Sequence, residues 1–218
     1  MAYKFALLKE VKDRDKKCKE ILHALQKEVK EYFTFDIRLV GSGHQKLVTQ
    51  NGEEPFDLDY NIILQRDKKG LLENPKQIKD IFRTKFDAIL KEYVSNYKLR
   101  ASDSTSVITA KLVGEDGLEF LFDVAIFVKR ENGYFDILKN DKKTGEYIWN
   151  QVENSENYFE RLKAVKDRGD WVAFKKKYLK LKNKHLSLQN KRKSFSVLLE
   201  ALNEVEQCIK VNENKNFI

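Results

Sequence analysis

The sequence predicts an α+β fold, a mixed β-sheet core flanked by helices and followed by a helical C-terminal layer. Three observations carry this reading. A long helical periodicity opens the 218-residue chain, a central stretch alternates with period two around one interrupting helix, and the chain is helical again from about residue 154. The boundary falls between residues 1–150, the sheet-bearing part with its N-terminal helix, and residues 151–218, a helical region packed on that core.

Residues 3 to 33 read as a helix because Cys18, Ile21, Leu22, Leu25, Val29 and Tyr32 recur at three- and four-residue steps. Phe35 to Leu39 then alternates as a half-buried strand and stops at Gly41-Ser42-Gly43. The segment from His44 to Thr49 is a candidate helix start, and the turn-rich stretch Gln50 to Pro55 leads into a second strand, Phe56 to Gln65. Asn74-Pro75 has the form of a cap with a first-turn proline, opening a helix to about Asn96 whose stripe includes Ile78, Phe82, Phe86 and Ile89.

Tyr97 to Val113 gives one or two β segments. A hairpin turn at Gly114 to Gly117 leads to the strand Leu118 to Lys129, and a short strand follows near Tyr134 to Leu138. Beyond Asn154 three helices are expected, with breaks near Gly169 and at Leu188 to Arg192.

Composition narrows the class. A 41% hydrophobic fraction with 14 Phe suffices for a core without staples. Cys18 and Cys208 lie 190 positions apart, form no disulfide framework or metal-ligand pair, and read as small core residues. No run approaches a signal peptide or a membrane span, so the expectation is a cytoplasmic protein without a membrane partner. The net charge is +8, yet residues 160–193 hold thirteen Lys or Arg against three acids, leaving the remainder slightly acidic. Such a segment favours polyanionic partners, a nucleoside triphosphate or RNA, with a solvated helical face as the plain alternative.

The chemistry centres on acids. Asp57-Leu58-Asp59 lies in a strand pattern, so both carboxylates point to one face and Leu58 and Tyr60 to the other. Two carboxylates fixed on one face repel unless a cation lies between them, and a hard divalent ion bound to substrate phosphates suits that role. A third acid, Asp123, stands in the apolar run Phe120 to Phe127, where an unpaired acid is costly to bury. Asp136, in Tyr134-Phe135-Asp136-Ile137, is the alternative third acid, with less apolar flanks. Upstream, Leu39-Val40-Gly41-Ser42-Gly43 ends a strand in a turn whose amides and hydroxyl suit a phosphate, although an ordinary turn is the plainer reading of these residues alone. His44 reads as a surface histidine; His23 and His185 lack metal-ligand spacing.

Together these residues resemble the nucleotidyltransferase superfamily, which includes DNA polymerase β, aminoglycoside nucleotidyltransferases and oligoadenylate synthetase-like enzymes. The pattern is a hydrophobic residue with Gly-Ser, a spacer, Asp-hydrophobic-Asp-hydrophobic, and a later acid. It stands here as Val40-Gly41-Ser42, Asp57-Leu58-Asp59-Tyr60 and Asp123, within about residues 35 to 130. The fourteen residues between Ser42 and Asp57 slightly exceed the family's usual spacer.

The resemblance implies a nucleotidyltransferase core that transfers a nucleoside monophosphate from a triphosphate to a hydroxyl acceptor, releasing pyrophosphate. It implies two ions per site, Mg²⁺ or Mn²⁺, held by Asp57, Asp59 and Asp123, with Gly41 and Ser42 positioning the β- and γ-phosphates. A second resemblance, of Trp171 to Lys184 and Lys193-Ser194-Phe195 to the helical segment of template-independent members, implies that Lys180 or Lys182 touches phosphates and Ser194 the triphosphate or base. Core packing is the plainer role for Trp171 and Phe195. Two other functional readings stand beside the enzyme. One is a non-catalytic module of the same fold acting as an antitoxin-like partner, and the other is a basic RNA-binding protein with structural acids.

Overall fold

The structure is a computed structural model that describes residues 2–93, 101–113, 119–152, 156–189 and 192–215. The chain divides into two compact units, one of Ala6–Val48 with Glu54–Val152, the other of Met1–Phe5, Thr49–Glu53 and Glu153–Ile218. The fold is α+β with a mixed sheet, and the described residues contain six helices.

In the larger unit the sheet has seven strands. Its path runs β2 (Phe33–Val40), β4 (Asp57–Asp67), β7 (Glu119–Lys129), β6 (Val107–Val113) and β5 (Ser102–Asp103), while β8 (Phe135–Asp141) pairs with β7 and β9 (Glu146–Gln151) with β8. The β4–β7 pair is parallel and the other pairings are antiparallel.

Helices α1 (Leu8–Glu28) and α3 (Pro75–Tyr93) bury Ile21, Leu22 and Leu25, and Ile78, Phe82 and Phe86, in one core with the sheet residues Leu58, Tyr60, Phe122 and Val124. Phe82 stacks on Phe33 at 5.7 Å, and Phe122 meets Tyr60 and Phe86 edge-on at 5.2 and 5.6 Å. Asn74 Oδ1 accepts the Gln77 amide at 3.1 Å, the cap that the Asn-Pro pair predicts.

Two polar anchors on α1 fix the strands beneath the acids. The buried Arg14 lays its guanidinium 4.4 Å from the Phe56 ring centroid and 5.2 Å from that of Phe120, and donates to the Glu119 carbonyl at 3.3 Å. Tyr60, 1% exposed, donates its hydroxyl to Asp15 Oδ1 at 2.5 Å. On α3, Lys79 is 1% exposed and pairs with Asp103 at 3.1 Å; Asp103 also accepts the Tyr147 hydroxyl. Burial pushes the Lys79 ammonium below its ordinary pKa, and Asp103 pulls it back.

In the smaller unit, β1 (Tyr3–Phe5) pairs antiparallel with β3 (Thr49–Asn51). Asn183 accepts the Tyr3 amide at 2.6 Å and donates to its carbonyl at 3.1 Å. The helices α4 (Glu156–Asp167), α5 (Trp171–Ser187) and α6 (Ser194–Lys215) bury Leu162, Val165, Phe174, Tyr178, Val197 and Leu202. Arg161 bridges to both Glu206 oxygens at 2.9 Å. No helix of the described residues is long and apolar enough to cross a membrane.

Several expected elements differ. The opening helix begins at Leu8, because Tyr3 to Phe5 is drawn into strand pairing with Thr49 to Asn51. The helix expected to start at His44 is instead α2 (Gly41–Gln45), ended by Lys46 at φ 57°. Strand β9 was not marked by any alternation, since its residues are exposed or half-buried on both faces. The Gly114–Gly117 turn, residues 97–100 and the Cys208 side chain lie outside what is described.

Candidate active site

Register brings the acids together. Val40, Asp59, Asp123, Thr109 and Ser102 are successive partners across β2, β4, β7, β6 and β5, one row perpendicular to the strands. Because side chains alternate along a strand, Asp57 shares the Asp59 face, two residues along it. One carboxylate oxygen from each of Asp57, Asp59 and Asp123 lies within 4.8 Å of the others. Leu58 and Tyr60, 0% and 1% exposed, point the other way into the core. Leu121 donates its amide to the Phe56 carbonyl at 3.0 Å, so the β4 and β7 starts stay level next to the acids.

The electrostatics are unfavourable as they stand. The Asp59 carboxyl is pushed from 3.8 up to about 7, chiefly by burial and further by Asp57 and Asp123. Burial also raises Asp123; the Thr109 hydroxyl opposes this and Asp57 adds to it. Thr109 Oγ1 donates to Asp123 Oδ1 at 2.5 Å and thereby fixes that carboxylate. Three converging carboxylates, Asp59 and Asp123 half-buried and Asp57 exposed, offer an all-oxygen donor set that fits a hard divalent cation, whose charge would offset their mutual repulsion.

Beside them, β2 ends at Val40 and Gly41 opens α2 with φ 59°. The positive φ favours glycine at this position, and an added Cβ would press on Asp59 Oδ2 at 3.0 Å. Gly43 is equally confined, its added Cβ falling 2.9 Å from Leu39 Cδ1. The Ser42 carbonyl accepts the Leu47 amide at 2.8 Å, which holds the turn in place. Gly41 and Ser42 thus belong to the same unit as the three acids.

The remaining sequence candidates are distributed differently. Lys180, Lys182 and Ser194 belong to the smaller unit, where Lys182 Nζ donates to Ser194 Oγ at 3.0 Å and Lys180 is exposed on another face of α5. Asp136 is engaged by Arg130 Nε at 2.6 Å and is not one of the converging acids. His23 Nδ1 lies 2.9 Å from Gln26 Oε1, and His185 Nε2 lies 2.9 Å from Glu200. Trp171 stacks on Phe174 at 5.1 Å, whereas Phe195, expected in the core, is 48% exposed and meets Tyr158 edge-on.

Sequence reasoning missed Thr109, Arg14 and Asp15. Thr109 stands in an alternating Val-Ile-Thr-Ala segment, a half-buried strand signal, but only the β6–β7 register shows which acid it meets.

A mixed sheet with three acids converging beside a glycine turn defines a class, an α+β protein whose acidic cluster could hold a cation. No family model matches the chain, and no curated protein matches it. Solved structures do. A STING-associated CdnE c-di-GMP synthase from a Flavobacteriaceae species superposes with a TM-score of 0.58 at 21% identity, over 92% of this chain and 65% of that one. E. coli MS115-1 CdnC with ATP gives 0.55 at 15% identity over 91% and 60%. The Elizabethkingia meningoseptica CdnE cyclic dinucleotide synthase, solved with GTP and Apcpp, gives 0.53 at 11% identity over 87% and 68%. The fold is therefore the nucleotidyltransferase fold. This chain spans 60% of the CdnC chain's length.

Proposed function

We propose that the protein transfers a nucleoside monophosphate from a nucleoside triphosphate to a hydroxyl acceptor, releasing pyrophosphate, at Asp57, Asp59 and Asp123. The convergence of these carboxylates within 4.8 Å carries the proposal. The neighbours named with ATP, GTP or a cyclic dinucleotide product support it by fold.

Two Mg²⁺ or Mn²⁺ ions, when bound, would neutralise the phosphates and acidify the acceptor hydroxyl. Asp57 and Asp59 would hold the ion that carries the triphosphate, and all three acids the second. Asp123 would orient the acceptor hydroxyl and take its proton. The acceptor oxygen bonds to the α-phosphorus as the bond from that phosphorus to the bridging oxygen breaks, and pyrophosphate leaves with the electron pair. Gly41 and Ser42 would present the turn amides and hydroxyl to the β- and γ-phosphates. Catalysis is thus given to the sheet-bearing part, residues 1–150, with residues 151–218 as its helical complement, in a cytoplasmic nucleotide pool.

The test is metal-dependent pyrophosphate release from ATP, GTP, CTP and UTP, each with and without an RNA acceptor. Asp57→Asn and Asp123→Asn should each lower the rate by about 10²-fold or more while circular dichroism stays native. Undiminished release by either variant would overturn the assignment.

A further inference from the structure

Helix α5 carries six lysines and no acid in 17 residues. Elsewhere the protein balances its helices. Lys19 pairs with Asp15 on α1 and Lys76 with Asp80 on α3, each at four-residue spacing and each at 2.7 Å. Like charges at that spacing repel, and a lysine cluster in the early turns opposes the helix dipole. The stability of α5 does not account for its composition.

The six lysines fall into two sets. Lys175 lies 4.8 Å from the Phe5 ring centroid, Lys177 pairs with Glu204 at 2.8 Å, and Lys182 bonds Ser194 and lies 4.4 Å from the Tyr3 ring centroid. Lys176, Lys180 and Lys184 are all exposed and make no ion pair with an acid among the described residues, although Lys184 lies near enough to Glu200, which His185 and Arg192 already engage, to help lower its carboxyl. Their spacing puts them on one stripe about 12 Å long, away from the buried Phe174, Tyr178, Leu181 and His185. The exposed Ala173 and Ser187 share that stripe, so small side chains leave it open to close approach.

We propose that this stripe docks single-stranded nucleic acid, with Lys176, Lys180 and Lys184 each neutralising a backbone phosphate. Evenly spaced cations with no acid between them complement a chain of evenly spaced anions better than the irregular carboxylates of an acidic protein. The same unit exposes Phe159 at 43% and Phe195 at 48%, both against the Tyr158 ring, at 4.1 and 5.0 Å between centroids. Exposed aromatic rings suit unpaired bases, which a duplex keeps stacked inside. The surface requires neither the acids nor a triphosphate, so it stands apart from the catalytic reading.

Fluorescence anisotropy with the full chain, a labelled single-stranded RNA oligonucleotide, EDTA and a salt series tests it. Replacing Lys176, Lys180 and Lys184 together by Gln should weaken binding at low salt about tenfold or more. It should also flatten the log–log salt slope by about 2, from roughly 0.7 per phosphate contact. An unchanged affinity and slope would overturn the proposal, as would equally tight, stripe-dependent binding of a polyglutamate of the same charge. Asp57→Asn should bind the RNA as the native chain does, so its loss of pyrophosphate release speaks only to the catalytic proposal.

Discussion

Asp123 is held by Thr109, and that one hydrogen bond separates a carboxylate with a fixed orientation from one free to rotate. Hydrogen bonds to charged groups contribute roughly 1.5–3 kcal/mol. Thr109→Val should therefore weaken Mn²⁺ binding, read directly by electron paramagnetic resonance, by about tenfold, and Thr109→Ser should recover most of it. A merely structural Thr109 would leave the Mn²⁺ affinity of the Val variant unchanged. The acids themselves were legible in the sequence, because period-two alternation puts Asp57 and Asp59 on one face and an apolar run makes Asp123 conspicuous. Their helper was not. A threonine in a strand pattern has no distinguishing signal until its register partner is known, and nothing local in β6 specifies β7 residue by residue.

Among elements, α1, β2, β4, α3 and β7 were readable from the chain, since each has a long, clean period and a recognisable stop. The failures share one cause. Strands β1, β3 and β9 are short or poorly alternating and take their conformation from a partner across the sheet, where tertiary pairing overrides local preference. Lys79 went unnoticed for a related reason, since nothing in the sequence marks one lysine of α3 as buried. It ties that helix to β5 through Asp103, and Tyr147 of β9 closes the cluster. Removing one member strands a buried charge. Asp103→Ala should cost about 3–5 kcal/mol in denaturant unfolding, whereas the double change Lys79→Met with Asp103→Leu should recover most of that loss. Equal destabilisation in both variants would show that the cluster contributes something other than charge pairing.

For the whole molecule, the acidic site lowers stability in the absence of a cation, and the direction with pH follows from Asp59. Its carboxyl is raised from 3.8 to about 7, so the native state keeps a proton that the unfolded chain has released. The contribution of Asp59 is complete at acid pH and is lost as pH rises toward about 7. In chelator, the melting temperature of Asp59→Asn should exceed that of the native chain by a margin that widens from about pH 4 to about pH 7 and then levels off. Added Mn²⁺ should close the margin at pH 8 by stabilising only the native chain. A margin that is constant across the range would contradict the raised carboxyl.

The parallel pairing of β4 with β7 joins acids 64 positions apart in the chain, Asp59 and Asp123. Such a pairing closes a long loop, and its entropy must be met before the contact gives anything back. A nascent chain that has emerged only as far as β6 holds two of the three converging aspartates, Asp57 and Asp59, and lacks Asp123. The clustering of the three carboxylates therefore arrives late and all at once, with the docking of β7.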